Sequence, residues 1–255
     1  MRSNFDHMRT IGPSPVLNSP FWKEVFCDPL PLDAQKLLRP VETVLFKGSL
    51  VTVVRNCGDH IVQVKTKEYP GDELYMDARF LEPAIDTEER TRKCPPLKDL
   101  LLKLKNWPKA IYVWGGNVTQ GVPLLAEYYP LSEKADSYTK SVSILKGVDC
   151  SGLLYEATDG FLPRNTSQLL KVGRGIPIAN KTVEEIVKLL VPGDLIVWNG
   201  HVIIVEEGSF VFESALPFGG TARTDLVTRL SDIMKQREPD TSFFVRRWHQ
   251  EAGDL

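Results

Sequence analysis

The sequence predicts an α+β fold, and three observations carry the prediction. Four short β-rich runs, punctuated by glycine and polar turns, lie between Thr43 and Met76. An apolar stripe with helical spacing begins abruptly at Cys150, and three further β-rich runs separated by tight turns follow between Leu195 and Ser214. A helix beside an antiparallel meander is an α+β arrangement. A chain of 255 residues accommodates one large or two small domains and buries enough surface to fold without staples.

In the first region the β-rich runs are Thr43 to Phe46, Leu50 to Arg55, His60 to Thr66 and Leu74 to Met76. Gly48-Ser49, Asn56 to Asp59 and Tyr69 to Asp72 separate them, the spacing of a small barrel within residues 1–86. Thr87-Glu88-Glu89-Arg90-Thr91-Arg92-Lys93 is a charged run closed by Pro95-Pro96, so residues 87–96 read as a solvated linker. Residues 97–255 then form the second domain.

In that second domain Cys150, Leu153, Leu154 and Ala157 fall at i, i+3, i+4 and i+7, which places the thiol in the first turn of a helix. Asp149 is the N-cap candidate. A sulfur there faces unpaired N–H groups and the positive end of the macrodipole, both of which favour thiolate. A lone cysteine is also at home as a small buried apolar residue. Thr182-Val183-Glu184-Glu185 reads as a capping box opening a helix through Leu190. Leu195 to Trp198, the hairpin signal Asn199-Gly200 and the run His201 to Glu206 make a β-hairpin that His201 opens on its second strand. If the turn at Glu207-Gly208-Ser209 pairs Glu206 with Phe210, Glu213 lies opposite Ile203 and diagonal to His201 on one face, whereas a one-residue slip separates them. In the first register Glu213 orients His201, and His201 takes the proton of Cys150. Thr224 to Arg237 is a further helix with Leu226, Leu230 and Ile233 on one face, and Thr241 to Trp248 a closing strand.

These residues carry a resemblance. Tyr112-Val113-Trp114-Gly115-Gly116, Asp149-Cys150-Ser151-Gly152, Pro163-Arg164-Asn165-Thr166-Ser167, Pro192-Gly193-Asp194-Leu195 and Gly200-His201-Val202 resemble, in order, the signature of the NlpC-type cell-wall cysteine peptidases. The resemblance implies a papain-like catalytic domain in which Cys150 is the nucleophile, His201 the base and Glu213 the orienter, a place most often filled by histidine in that family. It implies a γ-D-glutamyl–diaminopimelate endopeptidase acting on peptidoglycan or murein peptides. Asp149 and Ser151 would meet a free α-amino group, while Tyr112, Trp114, Arg164 and Thr166 would line the γ-D-glutamyl subsite. Residues 117–148 are longer than the family's usual connection and should lie beside the cleft, as a lid, a specificity loop or an inert excursion. The β-rich region upstream resembles a bacterial SH3-like domain, which walls a cleft, binds wall fragments or serves only as structure. A catalytically silent wall-binding protein and an amidase or acyltransferase with the same triad are the competing readings.

Composition narrows the field further. With 31 basic and 33 acidic residues and a net charge of −2, the chain has no polyanion-binding field, which disfavours nucleic acid. Cys27, Cys57, Cys94 and Cys150 include no C-x-x-C pair and no histidine at ligand spacing, so neither a metal nor another cofactor is expected. With Cys150 assigned, three cysteines remain and cannot all pair, which suits a reducing compartment, although one disulfide plus a free thiol fits the count as well. No window reaches transmembrane length, and residues 1–20 lack an apolar signal segment. A cytoplasmic location is expected unless another route exports the protein to the periplasm or wall.

Overall fold

The computed structural model describes residues 7–251. The absence of a signal segment was read partly on residues 1–6, and the expected second domain ends on residues 252–255, all outside the described residues. The first sheet is built from β1 (His7–Thr10), β2 (Ser14–Leu17), β3 (Val41–Leu45), β4 (Leu50–Gly58), β5 (Ile61–Lys65), β6 (Leu74–Asp77) and β7 (Leu81–Pro83), with the one-turn helix α1 (Trp22–Val25) between β2 and β3. The strands pair antiparallel in the order β3-β2-β6-β5-β4-β1-β7. All four β-rich runs are strands. The three strands the sequence did not announce are short, and Pro15 breaks the pattern in one of them. The turn after β4 is also displaced. Gly58 pairs with Ile61, so Asp59 and His60, both at positive φ, form the two-residue loop, and His60 is a turn residue instead of the start of a strand.

The segment 87–96 carries neither helix nor strand, but it is not simply solvated. Arg90 ion-pairs with Asp159 at 3.0 Å, lies 3.8 Å from the buried Glu68 and sits 5.2 Å from the ring centre of Phe46. The charged run therefore ties the two halves together through Arg90. Of its other charges Glu88 and Lys93 are exposed, and Glu89 and Arg92 are half-buried.

Beyond it come α2 (Leu97–Lys105), β8 (Asn117–Val118), α3 (Pro123–Tyr128), α4 (Ser137–Ser143), β9 (Gly147–Val148), α5 (Cys150–Ala157), α6 (Thr166–Leu169), β10 (Arg174–Ile176), α7 (Val183–Val187), β11 (Leu195–Trp198), β12 (His201–Val205), β13 (Phe210–Ala215), β14 (Gly220–Asp225), α8 (Leu226–Met234) and β15 (Phe244–Arg247). The long connection 117–148 is closed at its ends by the β8–β9 pair. Its residues Leu125, Tyr129, Val142 and Leu145 are buried with Trp22, Phe26, Val44 and Phe80 of the first sheet's layer. None of its residues lines the cleft around Cys150. It is thus neither a lid nor an inert excursion, because its apolar residues complete a core shared with the first sheet.

The second sheet runs β10-β15-β11-β12-β13-β14, all antiparallel, with β15 inserted between β10 and β11. Strand alternation gives it two apolar faces. Leu195, Val197, Val202, Ile204 and Phe212 pack with α2 and α5. Ile196, Ile203, Val205 and Val211 pack with Ile186 of α7 and with Leu226, Leu230 and Ile233 of α8. The Thr182–Glu185 capping box is present, but α7 stops at Val187, short of the expected Leu190. The helix expected from Thr224 begins only at Leu226, because Thr224 and Asp225 finish β14 and Asp225 caps α8.

Candidate active site

Asp149 caps α5 and organises its surroundings. Its carboxylate accepts from the Gly152 N–H at 2.7 Å and the Gly115 N–H at 3.1 Å. Arg164 donates to it through both terminal nitrogens, at 3.0 and 2.6 Å, and to the Ser151 hydroxyl at 2.8 Å. Gly152 is required where it stands, since a Cβ there would sit 2.0 Å from the Gly116 carbonyl oxygen. Gly115, at φ +70°, likewise lets the Trp114-Gly115-Gly116 turn approach the Val41 backbone of β3, which a Cβ would meet at 2.6 Å.

Cys150 follows the cap and is only 6% exposed. Its thiol donates to the Gly200 carbonyl at 3.8 Å. Burial, and then the charge of Asp149, push it up to about 12, against the smaller pull of Arg164 and of the Val202 and Ser151 backbone N–H groups. The expectation of a thiolate at the helix N-terminus is therefore corrected. A helix end contributes at most ~2 kcal/mol, roughly one and a half pKa units, whereas full burial moves a group by about 3–5 units. Burial outweighs the helix end at Cys150, and the direction of the shift favours thiol over thiolate.

The meander has the register that brings His201 and Glu213 together. The Glu206 N–H donates to the Phe210 carbonyl at 2.8 Å, and Val205 and Ile204 face Val211 and Phe212. His201 Nε2 lies 2.6 Å from Glu213 Oε2. Glu213 is fully buried, and burial alone would raise its pKa. Hydrogen bonds from His201 and Arg229 more than offset this and hold it below the usual carboxylate value. Arg229, on α8, was not picked out from the sequence. It donates through Nε to Oε1 at 2.6 Å and through Nη2 to Oε2 at 2.9 Å. Its signal was present, as a cation three residues after Leu226 on the stripe that continues with Leu230 and Ile233. Among the described residues no hydrogen bond joins the Cys150 thiol to His201. The turn between them is held instead by Thr166, whose hydroxyl accepts from the Gly200 N–H at 3.0 Å.

Cys150 and the six residues expected to contact substrate, Tyr112, Trp114, Asp149, Ser151, Arg164 and Thr166, line one cleft of about 260 Å³, whereas His201 and Glu213 lie outside its lining. Arg164 is 2% exposed and its fork is occupied by Asp149. Trp114 is covered by the Arg39 guanidinium, 4.5 Å from its ring centre. Sequence reasoning missed Glu42 and Tyr69, which the first sheet contributes to the wall and which hydrogen-bond each other. They lie far from the Cys150 motif in the chain, and only the docking of the two sheets reveals them. A larger cavity of about 600 Å³ lies beside α1, where Lys23 and Asp59 satisfy each other at 3.1 Å. Its lining includes the exposed Cys57 and no histidine. The described residues contain no group of three or more ligating side chains placed for a metal, and no helix long and apolar enough to cross a membrane.

No protein-family model matches the sequence, and no curated protein does. Among solved structures the chain is similar to the peptidoglycan hydrolase RipB of Mycobacterium tuberculosis, at 22% identity over 59% of this chain and 63% of that one, with a TM-score of 0.37. It is also similar to NlpC2 of Trichomonas vaginalis, at 14% identity over 94% of this chain and 72% of that one, TM-score 0.37. A third is RipD of Mycobacterium tuberculosis, described as a non-catalytic NlpC/p60 domain protein adapted to peptidoglycan binding, at 16% identity over 60% of this chain and 98% of that one, TM-score 0.36. Similarity of this size carries no assignment of activity, and the functional reading rests on the site itself.

Proposed function

We infer that the protein is a cysteine peptidase of murein stem peptides that cuts the γ-D-glutamyl–diaminopimelate bond. The observation that carries this reading is the buried carboxylate on His201 Nε2, on the strand that begins right after the turn holding the nucleophile candidate. With Nε2 held by Glu213, Nδ1 is the nitrogen left to take the thiol proton. The thiolate then attacks the scissile carbonyl carbon. The Cys150 backbone N–H, in the first turn of α5 where amides lack intrahelical partners, stabilises the oxyanion. His201 returns the proton to the leaving amine, and water hydrolyses the thioester.

The cleft suits a stem whose L-Ala amine is free. Among the residues that line the cleft, Asp149 and Glu42 supply two carboxylates and Arg164 one guanidinium, a balance that favours an ammonium. Arg164 then acts on the γ-D-glutamyl subsite mainly by fixing Asp149 and Ser151. Tyr112, Trp114 and Thr166 form the rest of that wall, and the first sheet, in the manner of an SH3-like domain, bounds the other side. Turnover of L-Ala-γ-D-Glu-diaminopimelate and of its N-acetylated form, followed by mass spectrometry, tests this. Cleavage of the free amine at least tenfold faster is expected, and equal rates would remove the amine-binding role from Asp149 and Glu42.

A second reading, a wall-binding protein without catalysis, is favoured by one observation, the thiol bonded to Gly200 and pushed up by burial. It requires saturable binding of the same tripeptide with no product. Hydrolysis by the wild type that is lost in Cys150→Ala decides against it.

A further inference from the structure

Resting on the reading of His201 as the base, we propose that Arg229 is a positioning residue that sets the tautomer of His201, by holding Glu213 as an oriented carboxylate so that the imidazole keeps Nδ1 free for the thiol.

The side chain of Glu213 is wholly removed from solvent. An isolated buried carboxylate avoids the cost of its charge by taking up a proton. Which form it takes decides which nitrogen of His201 carries hydrogen. An ionised Glu213 only accepts, so Nε2 must donate, and the neutral ring has its lone pair on Nδ1. A protonated Glu213 donates its own O–H to Nε2. The ring hydrogen then sits on Nδ1, the nitrogen that has to receive the thiol proton, and the base is in the wrong tautomer.

Arg229 prevents this. Its Nε and Nη2 engage both carboxylate oxygens, a fork that fixes orientation as well as charge. Oε2 is shared between Arg229 and His201, so rotation of the carboxyl would cost both contacts. The other charged groups on the neighbouring elements are engaged elsewhere. On β14, Arg223 is held by Glu206 at 2.6 Å. On α8, Asp232 pairs with Lys235 at 2.7 Å, and at the start of α5 Asp149 is held by Arg164. His201 from β12 and Arg229 from α8 are therefore the two side chains that hydrogen-bond Glu213. Lysine offers charge without a fork, so it should serve only in part.

The test uses the full chain with Arg229→Gln, Arg229→Lys and Glu213→His, the last alone and combined with Arg229→Gln. Two quantities are read against pH: kcat/KM on L-Ala-γ-D-Glu-diaminopimelate, and the rate of Cys150 alkylation by iodoacetamide, scored by intact mass. Arg229→Gln should lower kcat by about tenfold or more with little change in KM, since general-base catalysis contributes roughly a hundredfold or more. It should also move the acid limb of both profiles to higher pH, with Arg229→Lys in between. In the Glu213→His background, which has no buried carboxylate to hold ionised, Arg229→Gln should cost less than about twofold. An unchanged pH profile in Arg229→Gln, or an equal loss in both backgrounds, overturns the proposal. If the wild type hydrolyses nothing yet Arg229→Gln still shifts the alkylation profile, the peptidase reading fails and the role of Arg229 stands. If Arg229→Gln does not fold, Arg229→Lys and the double variant carry the same comparison.

Discussion

Cys150 combines a reactive group with an environment that suppresses it, and the combination has a signature in stability. Its thiol stands at about 12 in the folded protein against an ordinary value of 9.0. The folded state therefore holds the proton more tightly than the unfolded one. This contribution is complete below pH 9 and is lost as pH rises from 9 towards 12, by at most about 1.4 kcal/mol per pH unit. Tyr69, Tyr112, Tyr129 and Tyr155 are also raised by burial, but from 10.0, so their window opens later. Denaturant titrations at pH 8 and pH 10 should show the wild type losing about 1 kcal/mol more than Cys150→Ala. Parallel losses would mean that the thiol is not shielded. For catalysis, His201→Ala should abolish turnover while its thermal unfolding stays close to wild type, because His201 opens a strand at the end of the sheet and is not fully buried. Loss of folding would mark it as a structural residue. Cys150 and His201 were readable because a short motif places each at the start of an element. Arg229 shows in sequence only as a cation on the apolar stripe of α8, and no local pattern joins it to its partner Glu213 on another element.

The helix that carries Cys150 depends on a cap that is also half of a buried ion pair. Asp149→Ala removes the acceptor of the Gly152 N–H and leaves Arg164 charged, buried and without its main partner. Breaking such a pair from one side costs about 3–5 kcal/mol. Asp149→Asn keeps a capping oxygen, so its melting temperature should fall less than that of Asp149→Ala. Equal melting temperatures in the two variants would show that the cap contributes nothing, and an Asp149→Ala value equal to wild type would show the same of the pair. Elements with strong local signals were readable from sequence: the Asp149 cap, the Thr182 box and the Asn199-Gly200 turn, whereas the register that aligns Glu213 with His201 was one of two that the sequence left open. Short strands such as β1, β7 and β10 were not, because three or four residues establish no period and tertiary pairing alone makes them strands.

The two sheets are joined by more than a linker. Asn117 of β8 accepts from the Val44 N–H and donates to the Val44 carbonyl of β3, both at 2.8 Å, while residues 117–148 close a core shared with the first sheet. Calorimetry should therefore give one unfolding transition, and a piece spanning residues 97–255 should not fold alone. Two separable transitions would contradict this. That docking was invisible in the sequence because no local pattern reports which distant surfaces meet, and it hid Glu42 and Tyr69 for the same reason. The central claim is that Cys150 attacks the γ-D-glutamyl carbonyl of a murein stem. Intact-protein mass spectrometry after rapid acid quenching with L-Ala-γ-D-Glu-diaminopimelate tests it most directly. The account expects a transient L-Ala-γ-D-glutamyl adduct on the wild type, mapped to Cys150 and absent from Cys150→Ala, with free diaminopimelate released in step. Release of diaminopimelate by Cys150→Ala at the wild-type rate, or binding of the tripeptide by the wild type with neither adduct nor product, would contradict it.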